Sequence, residues 1–381
     1  MGFPWQRLLD VAFFAAAVWL QWRLAEWLPA ALAVRDSERV RRRLVQLWRV
    51  SALWMGLSAA YVVLLAFPWM PKWQWADWAR GLAMLWVLVT GGLFAAVWLV
   101  RRSPAFDPSR RRLLAAGATA APALFAGFGA LLERNRFGVV EQRIAFPGLP
   151  RDLDGLRIVQ LTDIHLGPFL EETELRRVVA MANELRPHLA VVTGDLITGR
   201  AGRLSDCLRI LAGLEADAGV YGCLGNHEMV ARCEARAKRE GAALGIEFLR
   251  QEARRIRFGG SSLNLAGVDY QRMWRPYLVG AETLLAPGAF NLLLSHNPDV
   301  FPVAAGQGWH LTLAGHTHGG QLTLGILQQY INVARLFTDY VYGLYRRGPA
   351  AIYVSRGIGT VAVPARLGAP PEIALIQLCA T

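Results

Sequence analysis

The stretch Leu156-Arg157-Ile158-Val159-Gln160-Leu161, running on into Thr162-Asp163-Ile164-His165, sets the reading of the chain. Six residues, four of them apolar, are too short for a helix and suit a strand buried on both faces. The run closes on a carboxylate and an imidazole, two side chains that bind metal ions. The pattern then repeats. Leu189–Thr193 leads to Asp195, Val220–Leu224 to Asn226 and His227, Phe290–Leu294 to His296, and Leu311–Ala314 to His316 and His318. A helical stretch over 171–185, with Thr173 as its cap, joins the first two strands. From Phe137 onward the chain reads as α/β, and the strands alone suggest a doubly wound sheet. Ligands in such sheets gather outside the carboxyl ends of the strands, and here five strand ends carry metal-ligating residue types.

These donors fit one chemistry. A phosphoester is negatively charged and repels a nucleophile, whereas two divalent cations about 3.5–4 Å apart clamp its oxygens and acidify a bound water. A carboxylate must bridge such a pair, and neutral imidazole and amide donors keep the total charge low. Mixed His, Asp and Asn ligation suits Mn, Fe or Zn. The expected activity is hydrolysis of a phosphate ester or pyrophosphate bond by attack of metal-bound hydroxide. Two other classes compete: a non-catalytic metal-binding membrane receptor, and a transporter with an accessory hydrolase. Loss of a ligand position would favour the first, and ionisable residues inside apolar spans the second.

Residues outside this pattern have plainer readings. His188 is expected in a surface loop and His310 at the start of a strand, both structural. Tyr270, Arg272 and Arg275 follow Val268-Asp269 in a loop; they are candidates for phosphate or headgroup contact, a solvated loop being the simpler account. Cys207, Cys223, Cys233 and Cys379 lack metal-type spacing and read as buried thiols, with a disulfide the alternative in an exported domain.

The first third is different material. Of the 381 residues 54% are hydrophobic and 14 are Trp. Up to Leu132 there are 15 Lys and Arg against 6 Asp and Glu, while the remainder carries 26 against 23. The basic surplus thus lies between apolar runs rather than on a folded face, which argues against nucleic acid as a partner. Val50–Met70, Gly81–Val100 and Leu113–Leu132 each hold enough uncharged residues to cross a bilayer. A further segment, 8–34, is interrupted by Asp10, Arg23 and Glu26; Arg23 and Glu26 could pair three residues apart, or the helix could end near Trp22. A cleaved signal peptide competes there, without a small-residue cleavage site to support it. The expected organisation is a transmembrane domain over 1–134 with helices at 8–34, 50–70, 81–100 and 113–132, then a catalytic domain over 135–381.

Orientation follows from charge. The stretch Arg35–Arg49 holds six arginines and Arg101–Arg112 five, whereas Pro71–Arg80 has only Lys72 and Arg80. Read as loops, the two arginine-rich stretches belong in the cytoplasm, leaving everything after Leu132 outside a plasma or inner membrane. Trp69, Trp73, Trp75 and Trp78 suit an outer interfacial belt. Ser109-Arg110-Arg111-Arg112-Leu113-Leu114 reads equally as a twin-arginine export signal or as plain positive charge before a helix. Both place the catalytic domain on the far side.

The series Asp163-Ile164-His165, Gly194-Asp195, Gly225-Asn226-His227-Glu228, His296 and Gly315-His316-Thr317-His318 resembles the calcineurin-like metallophosphoesterase superfamily over about 150–378. That resemblance implies a double β-sandwich flanked by helices. It implies one ion on Asp163, His165, Asp195 and His318, and a second on Asp195, Asn226, His296 and His316. Asp195 is then the bridge, and His227 faces the substrate as acid or charge stabiliser. Glu228 would orient His227 or its loop, a solvated loop acid being the alternative. Gly319-Gly320 let the chain turn behind the ligands, with Gln321 in support. Ser295-His296-Asn297-Pro298-Asp299, the tail Tyr353-Val354-Ser355-Arg356-Gly357-Ile358-Gly359, Pro364-Ala365-Arg366 and Pro371-Glu372-Ile373 resemble the YkuE- and YaeI-like branch, which carries N-terminal membrane segments. Arg356 and Arg366 are candidates for anion contact or for pairing with acidic side chains. Some members of this broader group resemble lipid-pyrophosphate hydrolases acting on UDP-2,3-diacylglucosamine, so the resemblance implies a lipid-linked phosphoester of the cell envelope as a partner for a membrane-embedded chain.

Overall fold

The computed structural model describes residues 5–31, 37–64, 74–102, 108–198, 201–271, 278–326 and 329–381. The chain divides into two compact units, Met1–Leu132 with Ala362–Ala365, and Glu133–Val361 with Arg366–Thr381.

Among the described residues the first unit contains the helices α1 (Trp5–Ala31), α2 (Ser37–Leu64), α3 (Gln74–Arg102) and α4 (Pro108–Leu131). By length and composition α2, and α3 from Trp75, can cross a membrane. Packing inside the unit is by Leu24, Ala25, Trp48 and Val97, and by Phe14, Ala17, Met55 and Ala83. Polar groups lie inside as well: the Trp86 indole N–H donates to Ser51 Oγ at 2.8 Å, and that hydroxyl donates to Gln21 Oε1 at 3.0 Å. The outside carries Phe13, Trp22, Leu53, Leu57, Leu99 and Leu124, all exposed. Apolar outside with a polar chain within is the pattern of helices packed in lipid.

One sequence expectation changes here, and one open alternative is decided. The stretch from Ser37 to Arg49 is not a loop, because α2 begins at Ser37 and carries Arg39, Arg41, Arg42, Arg43 and Arg49 on helical backbone; Arg35 lies outside the described residues. Arginine is a good helix former, and its long stem reaches water from a helix extended beyond an apolar core. Of the two readings of the first segment the longer one holds: α1 continues past Trp22, with Arg23 Nη1 3.4 Å from Glu26 Oε2. Trp75 and Trp78 stand on α3; Trp69 and Trp73 lie outside the described residues.

The second unit starts with β1 (Gly138–Phe146), β2 (Arg157–Leu161), α5 (Glu172–Glu184) and β3 (Leu189–Thr193). Next come α6 (Leu204–Leu211), β4 (Val220–Cys223), α7 (Asn226–Ala231), α8 (Glu234–Ala243) and β5 (Ile246–Phe248). The chain continues through β6 (Glu252–Phe258), β7 (Ser261–Gly267), β8 (Phe290–Leu294), α9 (Phe301–Gln307) and β9 (Leu311–Ala314). The hairpin β10 (Thr323–Ile326) and β11 (Gln329–Asn332) follows, then β12 (Gly343–Arg347), β13 (Ala350–Val354) and β14 (Glu372–Ala380). One sheet has the order β1-β14-β2-β3-β4-β5, the other β12-β13-β9-β8-β7-β6.

Both sheets are mixed, with parallel centres: β2, β3, β4 and β5 in the first, β7, β8, β9 and β13 in the second. Alternation along the strands decides which layer each side chain joins. Ile158 and Val191 meet Leu263, Leu292 and Leu313 between the sheets. Val159 and Val192 point the other way, onto Leu175 and Val178 of α5 and Leu208 of α6. On the far side of the second sheet, Leu293 packs with Val300, Ala304 and Trp309. The unit is a double β-sandwich flanked by helices, not the single doubly wound sheet that the strands alone suggest.

Smaller expectations are corrected or met. The cap of α5 is Glu171, whose backbone N–H donates to Glu174 Oε2 at 2.8 Å; Thr173 lies inside the helix. His188 is half-buried, with Nδ1 accepting the Arg157 N–H at 2.9 Å. His310 does the same for Asn291, also at 2.9 Å. All four cysteines are free thiols.

Candidate metal centre

The eight sequence-chosen residues converge. Asp163 and His165 follow β2, Asp195 follows β3, and Asn226 and His227 open α7 just after β4. From the second sheet, His296 follows β8, and His316 and His318 follow β9. Three adjacent parallel strands of one sheet and two of the other thus deliver their carboxyl ends to one place.

Close packing of the loops explains the glycine before several of these residues. A Cβ on Gly225 would stand 2.1 Å from Asp195 Oδ1, and one on Gly315 would stand 2.2 Å from Thr162 Oγ1 and 2.3 Å from Asp163 Oδ2. Backbone strain gathers here too. Asp163, His165, Asp195, His316 and His318 all have φ between 50° and 75°. Side chains other than glycine seldom adopt that region, and a cluster of such residues marks a functional site.

Two groups form. Around Asp163, Nε2 of His318 lies 3.3 Å from Oδ1, and Nε2 of His165 faces Nε2 of His318 at 3.0 Å. Around Asp195, Oδ2 is 3.1 Å from His296 Nε2, which faces His316 Nδ1 at 3.2 Å. Asp195 also reaches toward the first group, 3.6 Å from His165 Nε2. The sets Asp163, His165, His318 and Asp195, His296, His316 could each hold a metal ion, as could His165, Asp195, His227. Asn226 Oδ1 is buried without a hydrogen-bond partner. The His227 backbone N–H donates to Asp195 Oδ1 at 2.9 Å, and its Nε2 stands 3.9 Å from Asp195 Oδ2. His296 is aimed by Nδ1, 2.7 Å from the Thr193 carbonyl, which leaves Nε2 for the site.

The protein groups alone polarise the cluster. Burial pushes the His165 and His316 imidazoles down to about 3, aided by His227 and His296 respectively, and holds His318 well below the usual imidazole range. Burial also lowers His227, against the pull of Asp195. His296 behaves oppositely: Asp195 and Asp163 outweigh its burial and raise it to about 10. Burial would raise Asp195, yet His296 and His227 hold it well below the usual carboxylate range. Asp163 rises to about 6 because its burial outweighs the His296 charge. Neutral imidazoles beside carboxylates are ready metal donors.

Supporting residues meet expectation in part. Glu228 is fully buried, not a solvated loop acid, and holds the loop of His227 rather than its ring, accepting N–H groups of Asp195, Leu196 and Gly225 at 2.9, 2.9 and 2.8 Å. Gln321 pairs through its side chain with the backbone of Val361, while its backbone N–H donates to the His318 carbonyl at 2.9 Å. Arg356 binds Glu372 at 2.6 Å, whereas the buried Arg366 has carbonyl oxygens as its hydrogen-bond acceptors. The glycine-rich tail backs the first ligand loop, with Ile358 and Gly359 N–H groups on the Thr162 and Asp163 carbonyls at 3.0 and 2.7 Å. Tyr270 stands beside the site, its hydroxyl 3.4 Å from His316 Nε2. Arg272 and Arg275 lie outside the described residues.

Residues 156–332 match the calcineurin-like phosphoesterase family. The chain is 32% identical over 284 residues to the metallophosphoesterase YkuE of Bacillus subtilis, covering 72% of this chain and 98% of that protein. It is 29% identical over 278 residues to phosphodiesterase YaeI of Escherichia coli, covering 71% and 99%. A transmembrane protein with metallophosphoesterase domain from Danio rerio is 33% identical over 275 residues, covering 67% of this chain but 60% of that one. The identity to YkuE extends over almost all of that relative, and together with the five ligand-bearing strand ends it establishes that the chain belongs to the calcineurin-like phosphoesterase family.

Proposed function

We propose that the chain is a binuclear metal-dependent hydrolase of a phosphate ester or pyrophosphate bond, anchored in a membrane by its N-terminal helices. The position of Asp195 carries the reading: Oδ2 is 3.1 Å from His296 Nε2 and 3.6 Å from His165 Nε2, where a carboxylate shared by two ions belongs. One ion would rest on Asp163, His165, Asp195 and His318, the other on Asp195, Asn226, His296 and His316. The donors fit. Imidazole nitrogens facing each other at 3.0 and 3.2 Å need a proton or a cation between them. The buried Asn226 Oδ1 without a partner is a further acceptor awaiting one. A hard-to-borderline set of nitrogen and oxygen donors suits Mn, Fe or Zn.

Two such cations would supply charge to a phosphoryl group and lower the pKa of water. The chain's own groups do the remaining work. Asp195 and its neighbours fix the donors on strand ends that are packed rigidly. His227, with its side chain 20% exposed, presents Nε2 beside the site to stabilise charge or to protonate the leaving oxygen. A non-catalytic receptor is the weaker reading, since every ligand position and His227 are present.

The substrate we favour is lipid-linked, from the cell envelope, met by a catalytic unit outside the cytoplasm. The arginine-rich segments of α2 and of 101–112 support that orientation. The test is hydrolysis by the purified full chain with Mn²⁺ of nitrophenyl mono- and diesters and of nucleotide-diphosphate lipids. Turnover that disappears in Asp195→Asn, with the fold retained, is the expected result. Full activity in a metal-loaded Asp195→Asn chain would overturn the mechanism. A reporter fused after Thr381 that proved cytoplasmic would overturn the orientation.

A further inference from the structure

The one-turn 3₁₀ helix Val333–Leu336 and the following Phe337 form an inverted surface element. Val333, Leu336 and Phe337 are 60%, 80% and 72% exposed. Both flanks are held by buried polar side chains. On one side Asn332 donates through Nδ2 to the Gly319 carbonyl and Thr323 Oγ1, each at 2.8 Å, while its Oδ1 accepts the Ala334 N–H at 2.9 Å. On the other side the Thr338 hydroxyl donates to Asp299 Oδ1 and accepts the Tyr340 N–H at 3.0 Å. Gly319 adjoins His318 and Asp299 lies three residues past His296. The turn is therefore fastened to two ligand-bearing loops, with polar groups inward and apolar groups outward. A second apolar pair sits close in sequence to the site: Met229 and Val230, 42% and 66% exposed, follow His227 on α7.

We propose that Val333, Leu336 and Phe337 form a knuckle that dips into the surface of a bilayer and brings the metal centre to a lipid-borne phosphoester. This rests on the hydrolase reading above. Large apolar side chains held in water are unfavourable unless something apolar receives them. A protein partner is a poor occupant, because three side chains on one turn fall well short of the about 800 Å² per side of a stable interface. A bilayer needs no such area when the chain is already tethered to it, since tethering raises the local concentration of lipid around the catalytic unit. Charge agrees: between residues 333 and 347 the exposed charged side chains are Arg335, Arg346 and Arg347 against Asp339, and a basic segment around an apolar tip suits anionic headgroups.

The test uses the full chain in vesicles of phosphatidylcholine and phosphatidylglycerol. Cys379, the one thiol that is not buried, is replaced by Ser, and an environment-sensitive fluorophore is placed at Leu336→Cys or, as control, at Arg255→Cys on β6. Emission at position 336 should shift to the blue and be quenched by a lipid carrying a spin label, while the control is not. In unlabelled chain, Leu336→Glu with Phe337→Glu should cut turnover of a lipid-borne phosphodiester about tenfold and leave a soluble nitrophenyl diester within about twofold. No quenching at position 336 with soluble turnover intact overturns the knuckle and spares the hydrolase. Quenching at 336 in a chain that hydrolyses neither substrate overturns the hydrolase and spares the knuckle. Crosslinking between copies through Leu336→Cys, shielded from the lipid quencher, or equal loss on both substrates in the double variant, overturns the knuckle.

Discussion

The Glu228 carboxylate accepts the backbone N–H of Asp195 at 2.9 Å, so the residue that would bridge two ions is held from behind by a second, fully buried acid. Glu228 also accepts Leu196 and Gly225 N–H groups, and so ties the loop after β3 to the start of α7. Both carboxylate oxygens act as acceptors. An amide offers one acceptor oxygen and turns N–H groups toward the remaining backbone donor. Glu228→Gln should therefore cost about 1–3 kcal/mol of stability. If Glu228 positions Asp195, kcat should also fall about 10–100-fold with KM nearly unchanged. Thermal unfolding and steady-state kinetics on the metal-loaded chain check this, and unchanged kcat would remove the positioning role.

Gly315 gives a steric prediction. A methyl group there meets Thr162 Oγ1 and Asp163 Oδ2 far inside contact distance. The Thr162 hydroxyl is fixed by the Thr193 carbonyl at 2.9 Å and cannot swing away freely. Gly315→Ala should destabilise the catalytic unit by about 1–3 kcal/mol. It should also weaken metal binding by displacing Asp163. Metal content after dialysis, measured beside the melting temperature, separates the two effects; retention of both would show that the loop yields.

The ligands were legible because each stands at the end of a short apolar run, where chemistry and strand geometry coincide. The partners of those runs were not. β14 inserts between β1 and β2, pairing Glu372 with Gly138 and Ala374 with Gln160, and no local pattern announces a contact over such separations. Burial was equally hidden. Glu228 resembles any loop acid until its three N–H donors are seen. His188 and His310 were expected to be structural, but their common use as acceptors for strand N–H groups depends on neighbours far along the chain. Helix ends misled for a different reason: the arginines of α2 mark where apolar composition stops, not where helical backbone stops.

Proton release should report the order in which the ligands become available. His296 is raised to about 10, so it carries a proton at neutral pH that a cation must displace. His165 and His316, near 3, are already neutral there. Asp163, near 6, is ionised above that pH and protonated below it. Metal affinity should thus rise with pH, with about one proton released near pH 8 and about two near pH 5. Calorimetric titration of the chelator-treated chain with Mn²⁺, in buffers of different ionisation enthalpy, measures the count. Release that does not grow on acidification would contradict the raised Asp163.

Arg366 is buried completely, and its guanidinium is spread over backbone oxygens rather than a carboxylate. Its donors reach the carbonyls of Gly359 at 2.6 Å, Ala369 at 2.8 Å, Arg356 at 2.9 Å and Gly357 at 3.1 Å. That holds together the tail turn whose own N–H groups support Thr162 and Asp163. A lysine presents one compact charge with three donors and cannot span the same fork of acceptors. Arg366→Lys should cost about 3 kcal/mol, and Arg366→Met at least as much, because the carbonyls lose their donors in a dry interior. The damage should reach the metal centre on one side first: Asp163, His165 and His318 lie against this turn, whereas His296 and His316 belong to the other group. Graded metal titration should show the two binding steps separating in Arg366→Lys, only one of them weakened. Equal weakening of both would mean that the turn supports the fold as a whole rather than one half of the site.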